Sequence, residues 1–162
     1  LKETIFEAVE QRNQRQQLVL VDKVVAYFGS DLKGKSFALW GLAFKPETDD
    51  IRGAPAITIA RQLCERGATV VACDPQAIAV SKEVLAGLDV EYVDDPYQAT
   101  ENADALIVVT EWRQFKQPDF RRLNSQLRSK TIFDGRNIYN PQRCADYGLN
   151  YIGIGRSSAR DA

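Results

Sequence analysis

The sequence predicts an α/β fold in which a parallel sheet of about six strands carries helices on both faces and follows a long N-terminal helix. Short runs with strand character alternate with helix-like segments from residue 31 onward, as a parallel sheet with crossover helices requires. The run ALIVVT (105–110) is apolar without a break, which is typical of a strand buried on both faces.

A single helix is predicted over residues 1–28. Neither Gly nor Pro interrupts it, and Gly29 follows where a helix C-cap belongs. Within it, Gln11–Gln17 contains no apolar residue; this segment is either a solvated turn or a polar seam that faces a partner domain. Because the helix spans roughly 40 Å at about 1.5 Å per residue, residues 1–30 are interpreted as a connector. The chain opens inside this helix, and we expect a fragment of a longer protein.

The remaining elements follow in order between turn signals. The predicted helix Pro55–Arg66 has proline at its first position and Gly67 after its end. The other predicted helices are 76–86, 96–102, 119–128 and 141–147. The predicted strands are 36–40, 69–73, 90–93, 105–110, 131–133 and 151–154. Together they predict one domain over residues 31–156, followed by a flexible tail at 157–162.

Composition excludes several classes of function. The 162 residues are 44% hydrophobic and 27% charged, with a net charge of −1, so neither nucleic acid nor a membrane is predicted as a partner. There is no histidine, which excludes Ser-His-Asp and Cys-His catalysis and His-ligated metal sites, and no metal is predicted. Cys64, Cys73 and Cys144 are widely spaced and suggest neither a zinc site nor disulfides. We predict a cytoplasmic location.

Ligands of such Rossmann-like sheets bind beyond the carboxyl ends of the strands, so the loops that follow strands are candidate sites. The first of them, GLAFKPETDDIRGAP, opens on Gly41 alone instead of G-x-G-x-x-G, and the usual NAD-binding loop is therefore missing from the sequence. Asp74 ends the second strand, where the acid of a dinucleotide domain holds a ribose hydroxyl. A capping role for Asp74 is the favoured alternative.

Side chains in these loops offer another chemistry. Phe44 provides a flat apolar face, and Lys45 provides a cation for phosphate or hydroxyl groups. Arg52 is either held in an ion pair by the acids before it or directed outward as an anion clamp. Arg136 follows the fifth strand, where its guanidinium can make bidentate contact with phosphate or carboxylate. Because Lys45 and Arg136 both follow strand ends, an anionic ligand is predicted at the switch point, with ordinary surface cations as the alternative.

The motif G-L-A-F-K-P-x-T-D-D-x-R (Gly41–Arg52) resembles the signature loop of the UDP-glucose/GDP-mannose dehydrogenase family. Further motifs of that family stand in the expected order across nearly the whole chain. They are N-x-x-Q (13–16), D-P-x-A (74–77), T-E-W-x-x-F (110–115), F-D-G-R-N-I-Y-N-P (133–141) and Y-I-G-I-G-R (151–156). The resemblance is to the family's C-terminal UDP-binding domain, with the end of the central dimerisation helix attached.

This resemblance implies roles for individual residues. Phe44, Lys45 and Arg136 are expected to contact a UDP-sugar, and Arg52 is expected to reach NAD that an N-terminal domain outside this chain holds. The implied enzyme is an oxidoreductase that converts the C6 alcohol of a nucleotide-sugar, UDP-glucose foremost, to a carboxylate with two NAD. It is expected to form a homodimer through the central helix.

No catalytic residue is expected in this chain. The family's catalytic cysteine stands in a G-G-x-C-x-x-K-D context, which none of the three cysteines has, so these are interpreted as packing residues and the isolated chain as inactive. The alternatives are a UDP-N-acetylhexosamine or GDP-mannose dehydrogenase domain, a free-standing NAD-binding domain, and a non-catalytic oligomerisation module.

Overall fold

The structure, a computed structural model, describes residues 5–155, and for residues 5–11, 13 and 14 it describes the backbone alone. The predicted tail at 157–162 lies outside the described residues. The helices are α1 (Ile5–Phe28), α2 (Pro55–Glu65), α3 (Ile78–Val84), α4 (Pro96–Thr100), α5 (Phe120–Gln126) and α6 (Pro141–Asp146). The strands are β1 (Ser36–Trp40), β2 (Thr69–Cys73), β3 (Val90–Tyr92), β4 (Ala105–Val108), β5 (Thr131–Asp134) and β6 (Asn150–Gly153). None of these helices is long and apolar enough to cross a membrane.

The six strands form one sheet in the order β3-β2-β1-β4-β5-β6. Every neighbouring pair runs parallel, which confirms the predicted fold class. The chain moves outward from β1 through β2 to β3 and then returns to the other side of β1 as β4. The order of strands therefore reverses at β1 and β4, and the loops that follow these two strands flank the crevice in which such folds bind ligands.

The core includes the last turns of α1 as well as the sheet. All four residues of β4 are buried, as the apolar run predicted. Val21 and Val24 of α1 are fully buried, and the ring of Phe28 packs edge-on against that of Phe37 in β1, with centroids 5.3 Å apart. The C-terminal half of α1 is thus fixed to the sheet, and it positions the middle of that helix over the carboxyl edge.

Two elements differ from their predicted bounds in an informative way. The helix after β2 begins only at Ile78, because the Asp74 carboxylate accepts two backbone N–H groups ahead of it and forms a turn. Strand β4 ends at Val108 rather than at Thr110, and the Thr110 hydroxyl donates to the carbonyl of Ala43 in the loop after β1. Both differences lie at the carboxyl edge of the sheet, where side chains tie the loops together.

Candidate functional site

A cleft of about 620 Å³ opens at the carboxyl edge of the sheet. Its walls come from the middle of α1, from the first turns of α2 and from the loops that follow β1, β4, β5 and β6. Sites for small molecules have volumes of about 300–1,000 Å³, so the cleft can hold a ligand of nucleotide size. Three of the four predicted site residues, Phe44, Arg52 and Arg136, line the cleft, whereas Lys45 is not part of its lining.

Gly41 allows the loop after β1 to pass close to the end of β4. Its φ is +98°, and a Cβ at this position would lie 2.7 Å from the backbone nitrogen of Thr110. A side chain here would therefore meet both backbone strain and a steric overlap. Gly41 therefore serves the close packing of two chain segments.

Asp74 holds the same loop from the other side. Its Oδ2 accepts hydrogen bonds from the backbone N–H groups of Leu42 (2.7 Å) and Ala43 (3.1 Å) and from the indole N–H of Trp112 (3.1 Å). Its Oδ1 accepts the two N–H groups of the turn before α3, at 2.9 and 2.8 Å. The predicted capping role is wrong, because the N-cap of α3 is Ala77 and receives no side-chain hydrogen bond. Asp74 instead closes the turn before the helix, and the same carboxylate holds the loop that carries Phe44.

Phe44 and Lys45 form a pair at the mouth of the cleft. The Phe44 ring is 40% exposed, although its backbone N–H donates to the carbonyl of Asp50 at 2.8 Å. The Lys45 ammonium lies 5.6 Å from the centroid of that ring, within cation–π range. No ion pair joins Lys45 to any residue of the described chain, so its charge is available to an anionic ligand.

Arg136 joins three loops. Its Nε donates to the carbonyl of Val109 at 2.8 Å and its Nη2 donates to the carbonyl of Phe44 at 3.0 Å. Within residues 5–155 the structure gives its Nη1 no hydrogen-bond partner, so part of the guanidinium can still bind an anion. Arg136 is exposed, as the surface-cation alternative predicted, but two of its donors connect the loops after β4 and β1. Its role toward an anionic ligand stays a prediction.

Arg52 is held by Asp50, as the first of the two alternatives predicted. Its Nε and Nη2 donate to the two carboxylate oxygens of Asp50 at 2.9 and 2.8 Å. The Arg52 side chain is 90% exposed and lines the outer part of the cleft. The hydrogen bonds from Arg52 lower the pKa of Asp50 from its ordinary value of 3.8 to about 2.

We expect a carboxyl titration by NMR to give Asp50 a pKa near 2, and the Arg52→Gln variant to return it toward the ordinary value. Because the folded-state pKa is the lower one, the stabilisation from this pair is complete above pH 3.8 and is lost as the pH falls through about 2. Arg61→Gln, which removes another arginine of this chain whose side chain donates to the carbonyl of Val84, serves as the control and leaves the Asp50 titration unchanged. If the pKa of Asp50 does not change in the Arg52→Gln variant, the ion pair is contradicted.

Sequence reasoning missed Asp134 and Asn137, which shape the loop that carries Arg136. Asp134 is fully buried and accepts hydrogen bonds from the backbone N–H groups of Arg136 and Tyr139, both at 3.0 Å, and from the Tyr151 hydroxyl at 3.1 Å. Asn137 has a φ of 53° and exchanges two hydrogen bonds with the backbone of Ile154. An acid that ends a buried strand directly before glycine is the signal that could have identified Asp134.

Gln17 connects α1 to the rim of the cleft. Its amide donates to the carbonyl of Gly53 at 3.3 Å and accepts from the Thr58 hydroxyl at 3.1 Å. At this residue the polar segment of α1 contacts the loop after β1 and helix α2 of its own domain. The sequence predicted either a solvated turn or a seam facing a partner domain, and neither includes this contact. Its neighbour Gln16 also lines the cleft, so α1 forms one wall of the site.

Comparison with known proteins identifies the family. Residues 38–141 match the sequence profile of the UDP-glucose/GDP-mannose dehydrogenase family, UDP binding domain. The chain belongs to this family. The matched range includes all four residues of the predicted site, Phe44, Lys45, Arg52 and Arg136.

Individual members of the family align with nearly all of this chain. It is 45% identical over 159 residues to a UDP-glucose 6-dehydrogenase of Pseudomonas aeruginosa, covering 96% of this chain and 35% of the relative. It is 40% identical to a UDP-glucose 6-dehydrogenase of Rhizobium meliloti, covering 89% of this chain and 32% of the relative. A UDP-glucose dehydrogenase structure from Pyrobaculum islandicum superimposes with a TM-score of 0.76 at 32% identity over 93% of this chain and 32% of that one. The chain spans about a third of the length of these relatives.

In this UDP binding domain, the groups that hold a dinucleotide in the usual Rossmann site are bonded to one another. The N–H groups of Leu42 and Ala43, which follow β1, are bonded to Asp74, so they are not available to a pyrophosphate. The Asp74 carboxylate, in turn, is 3% exposed and cannot reach a ribose. The loop after β1 and Asp74, which would hold a dinucleotide, form hydrogen bonds with each other instead.

The cysteines of this family member are packing residues, as predicted. Burial raises the pKa of Cys73 and of Cys144 to about 12 and that of Cys64 to about 11. Since the thiolate is the nucleophile, these raised pKa values lower the thiolate fraction of all three cysteines near neutral pH. None of them lines the cleft.

Proposed function

We propose that this chain is the nucleotide-sugar binding domain of an NAD-dependent UDP-glucose 6-dehydrogenase, and that the cleft holds the UDP part of UDP-glucose. The observation that carries the proposal is the convergence of Phe44 and Arg136 on one cleft of ligand size, in a chain of the UDP binding domain family. The names of the relatives described above favour UDP-glucose over UDP-N-acetylhexosamines or GDP-mannose.

Three side chains bind the UDP moiety in this proposal. The exposed Phe44 ring supports the base or the ribose. The Nη1 group of Arg136, which has no hydrogen-bond partner in the described chain, donates to a diphosphate oxygen. Lys45 lies over the Phe44 ring at the mouth of the cleft and adds its charge to the same diphosphate.

Arg52 and α1 face the rest of the enzyme. Arg52, exposed at the outer part of the cleft, contacts NAD that is carried by an N-terminal domain. Helix α1 is the end of the central helix through which two copies of the enzyme form a homodimer. The free state of all three cysteines is compatible with a reducing compartment and supports a cytoplasmic enzyme.

The chemistry takes place outside the residues of this chain. In the complete enzyme two NAD would accept the two hydrides, and water would supply the second oxygen, as the C6 alcohol of UDP-glucose becomes a carboxylate. The cleft residues bind the UDP end, and binding of this remote group positions the sugar for reaction. We expect the isolated chain to bind substrate without oxidising it.

Calorimetric titration of the 162-residue chain with UDP, GDP and NAD tests this assignment. We expect UDP to bind at least about tenfold more tightly than NAD or GDP, a difference of about 1.4 kcal/mol. Tighter binding of NAD would instead support a dinucleotide-binding domain, and tighter binding of GDP a GDP-mannose dehydrogenase. A chain that binds none of the three at millimolar concentration contradicts the proposal.

A further inference from the structure

We propose that Asp74 is a positioning residue for the nucleotide-sugar site, whose buried carboxylate holds Leu42 and Ala43 so that Phe44 and Lys45 are presented to the ligand. Asp74 has this role only if the cleft is the UDP site proposed above. It does not line the cleft, and it acts through the backbone of the loop.

The two oxygens of Asp74 face two different segments. Oδ2 receives the N–H groups of Leu42 and Ala43 together with the indole of Trp112, while Oδ1 receives the turn before α3. In a glycine-rich loop, backbone N–H groups after the first strand bind the phosphates of the ligand. Here the Asp74 carboxylate takes the place of the phosphates as the acceptor of these N–H groups. The loop is therefore held without a ligand.

The hydrogen bonds continue from Asp74 to the ligand-facing residue. The carbonyl of Ala43 accepts from the Thr110 hydroxyl at 2.7 Å, and the backbone of Phe44 is bonded to Asp50 and Arg136. The backbone of Ala43 and Phe44 is therefore held on both sides, while the Phe44 ring stays exposed. A site that is ordered in advance loses less conformational entropy when its ligand binds.

The Asp74→Asn variant tests this role. Asparagine keeps the shape of the side chain but replaces one acceptor oxygen by an NH₂ group, which then faces N–H donors. We expect the affinity of the 162-residue chain for UDP, measured by calorimetry, to fall by between about tenfold and a hundredfold, as loss of positioning can cause.

Asp104→Asn is the matched control. Asp104 is also a buried carboxylate, 6% exposed, but it lies at the opposite edge of the sheet, where it accepts the N–H of Ser36 and pairs with Lys35. We expect this variant to lower the melting temperature without changing the affinity for UDP. If Asp74→Asn also loses only stability and binds UDP within about twofold of the parent chain, Asp74 is merely structural and the proposal is overturned.

Thr110→Val decides the matter if Asp74→Asn does not fold. It removes the hydroxyl that holds Ala43 while keeping the side-chain volume, and Thr110→Ser keeps the hydroxyl. If the valine variant binds UDP more weakly and the serine variant binds it like the parent chain, the loop is positioned by these hydrogen bonds. If both variants bind UDP like the parent chain, the proposal is overturned. If the parent chain binds no UDP, the proposed function itself is contradicted. If the parent chain binds UDP and the variants bind it equally well, only the positioning role of Asp74 is contradicted.

Discussion

Arg136→Ala lowers the affinity of the chain for UDP about a hundredfold, or by about 2.7 kcal/mol. The expected loss is large because the substitution removes two contributions at once. The Nη1 group no longer donates to the diphosphate, and a hydrogen bond to a charged group contributes about 1.5–3 kcal/mol. The carbonyls of Phe44 and Val109 also lose the donor that joins their loops.

Arg136→Lys separates these contributions. Lysine retains the charge but lacks the planar fork that reaches two carbonyls and a phosphate together, so we expect an intermediate loss of about tenfold. Arg121→Ala, which removes an exposed arginine of α5 outside the cleft, leaves UDP binding unchanged. Equal affinities for the parent chain and the Arg136→Ala variant, measured by calorimetry, exclude Arg136 from the UDP site.

Gly41→Ala lowers the free energy of unfolding by about 3–5 kcal/mol, the sum of a strained backbone and an overlap in a packed interior. The φ of +98° is unfavourable for alanine, and the new Cβ would lie 2.7 Å from the backbone nitrogen of Thr110. The loop after β1 has to move away from β4 to relieve the overlap, which also displaces Phe44. Urea denaturation measures the loss of stability, and calorimetry with UDP measures the displacement.

Gly34→Ala is the control for this prediction. Gly34 also has a positive φ, 77°, but no atom lies within 4 Å of its Cβ position. We expect it to lose only the backbone contribution, about 1–2 kcal/mol, and to bind UDP like the parent chain. If both alanine variants lose the same stability, the close approach of Gly41 to Thr110 is not what requires glycine.

The position of the site could be predicted because of a general property of parallel sheets. All carboxyl ends of the strands lie at one edge, so residues that follow different strands become neighbours. This brought Phe44, Arg52 and Arg136 to one cleft. The roles of these residues, and of Lys45, in binding UDP and NAD stay predictions until the titrations are made.

The partners of individual side chains could not be predicted in the same way. Arg136 and Phe44 are 92 residues apart, and Asp74 and Trp112 are 38 apart. Whether a given arginine points to solvent or to a carbonyl depends on loop separations of a few ångströms, which no sequence pattern encodes. The contacts of Gln17 with Gly53 and Thr58 could not be predicted either, because they also join residues that are far apart in the sequence.

The sequence by itself determined the order of helices and strands, the parallel sheet and the family, because hydrophobic periodicity and turn residues act locally and the motif Gly41–Arg52 is specific. The tertiary structure alone decided what that motif does physically. Gly41 permits the close approach of two loops, and the N–H groups of Leu42 and Ala43 are bonded to Asp74. The carbonyl of Phe44 accepts a hydrogen bond from Arg136. Hydrogen bonds between residues so far apart in the sequence form only after the strands have brought their loops together.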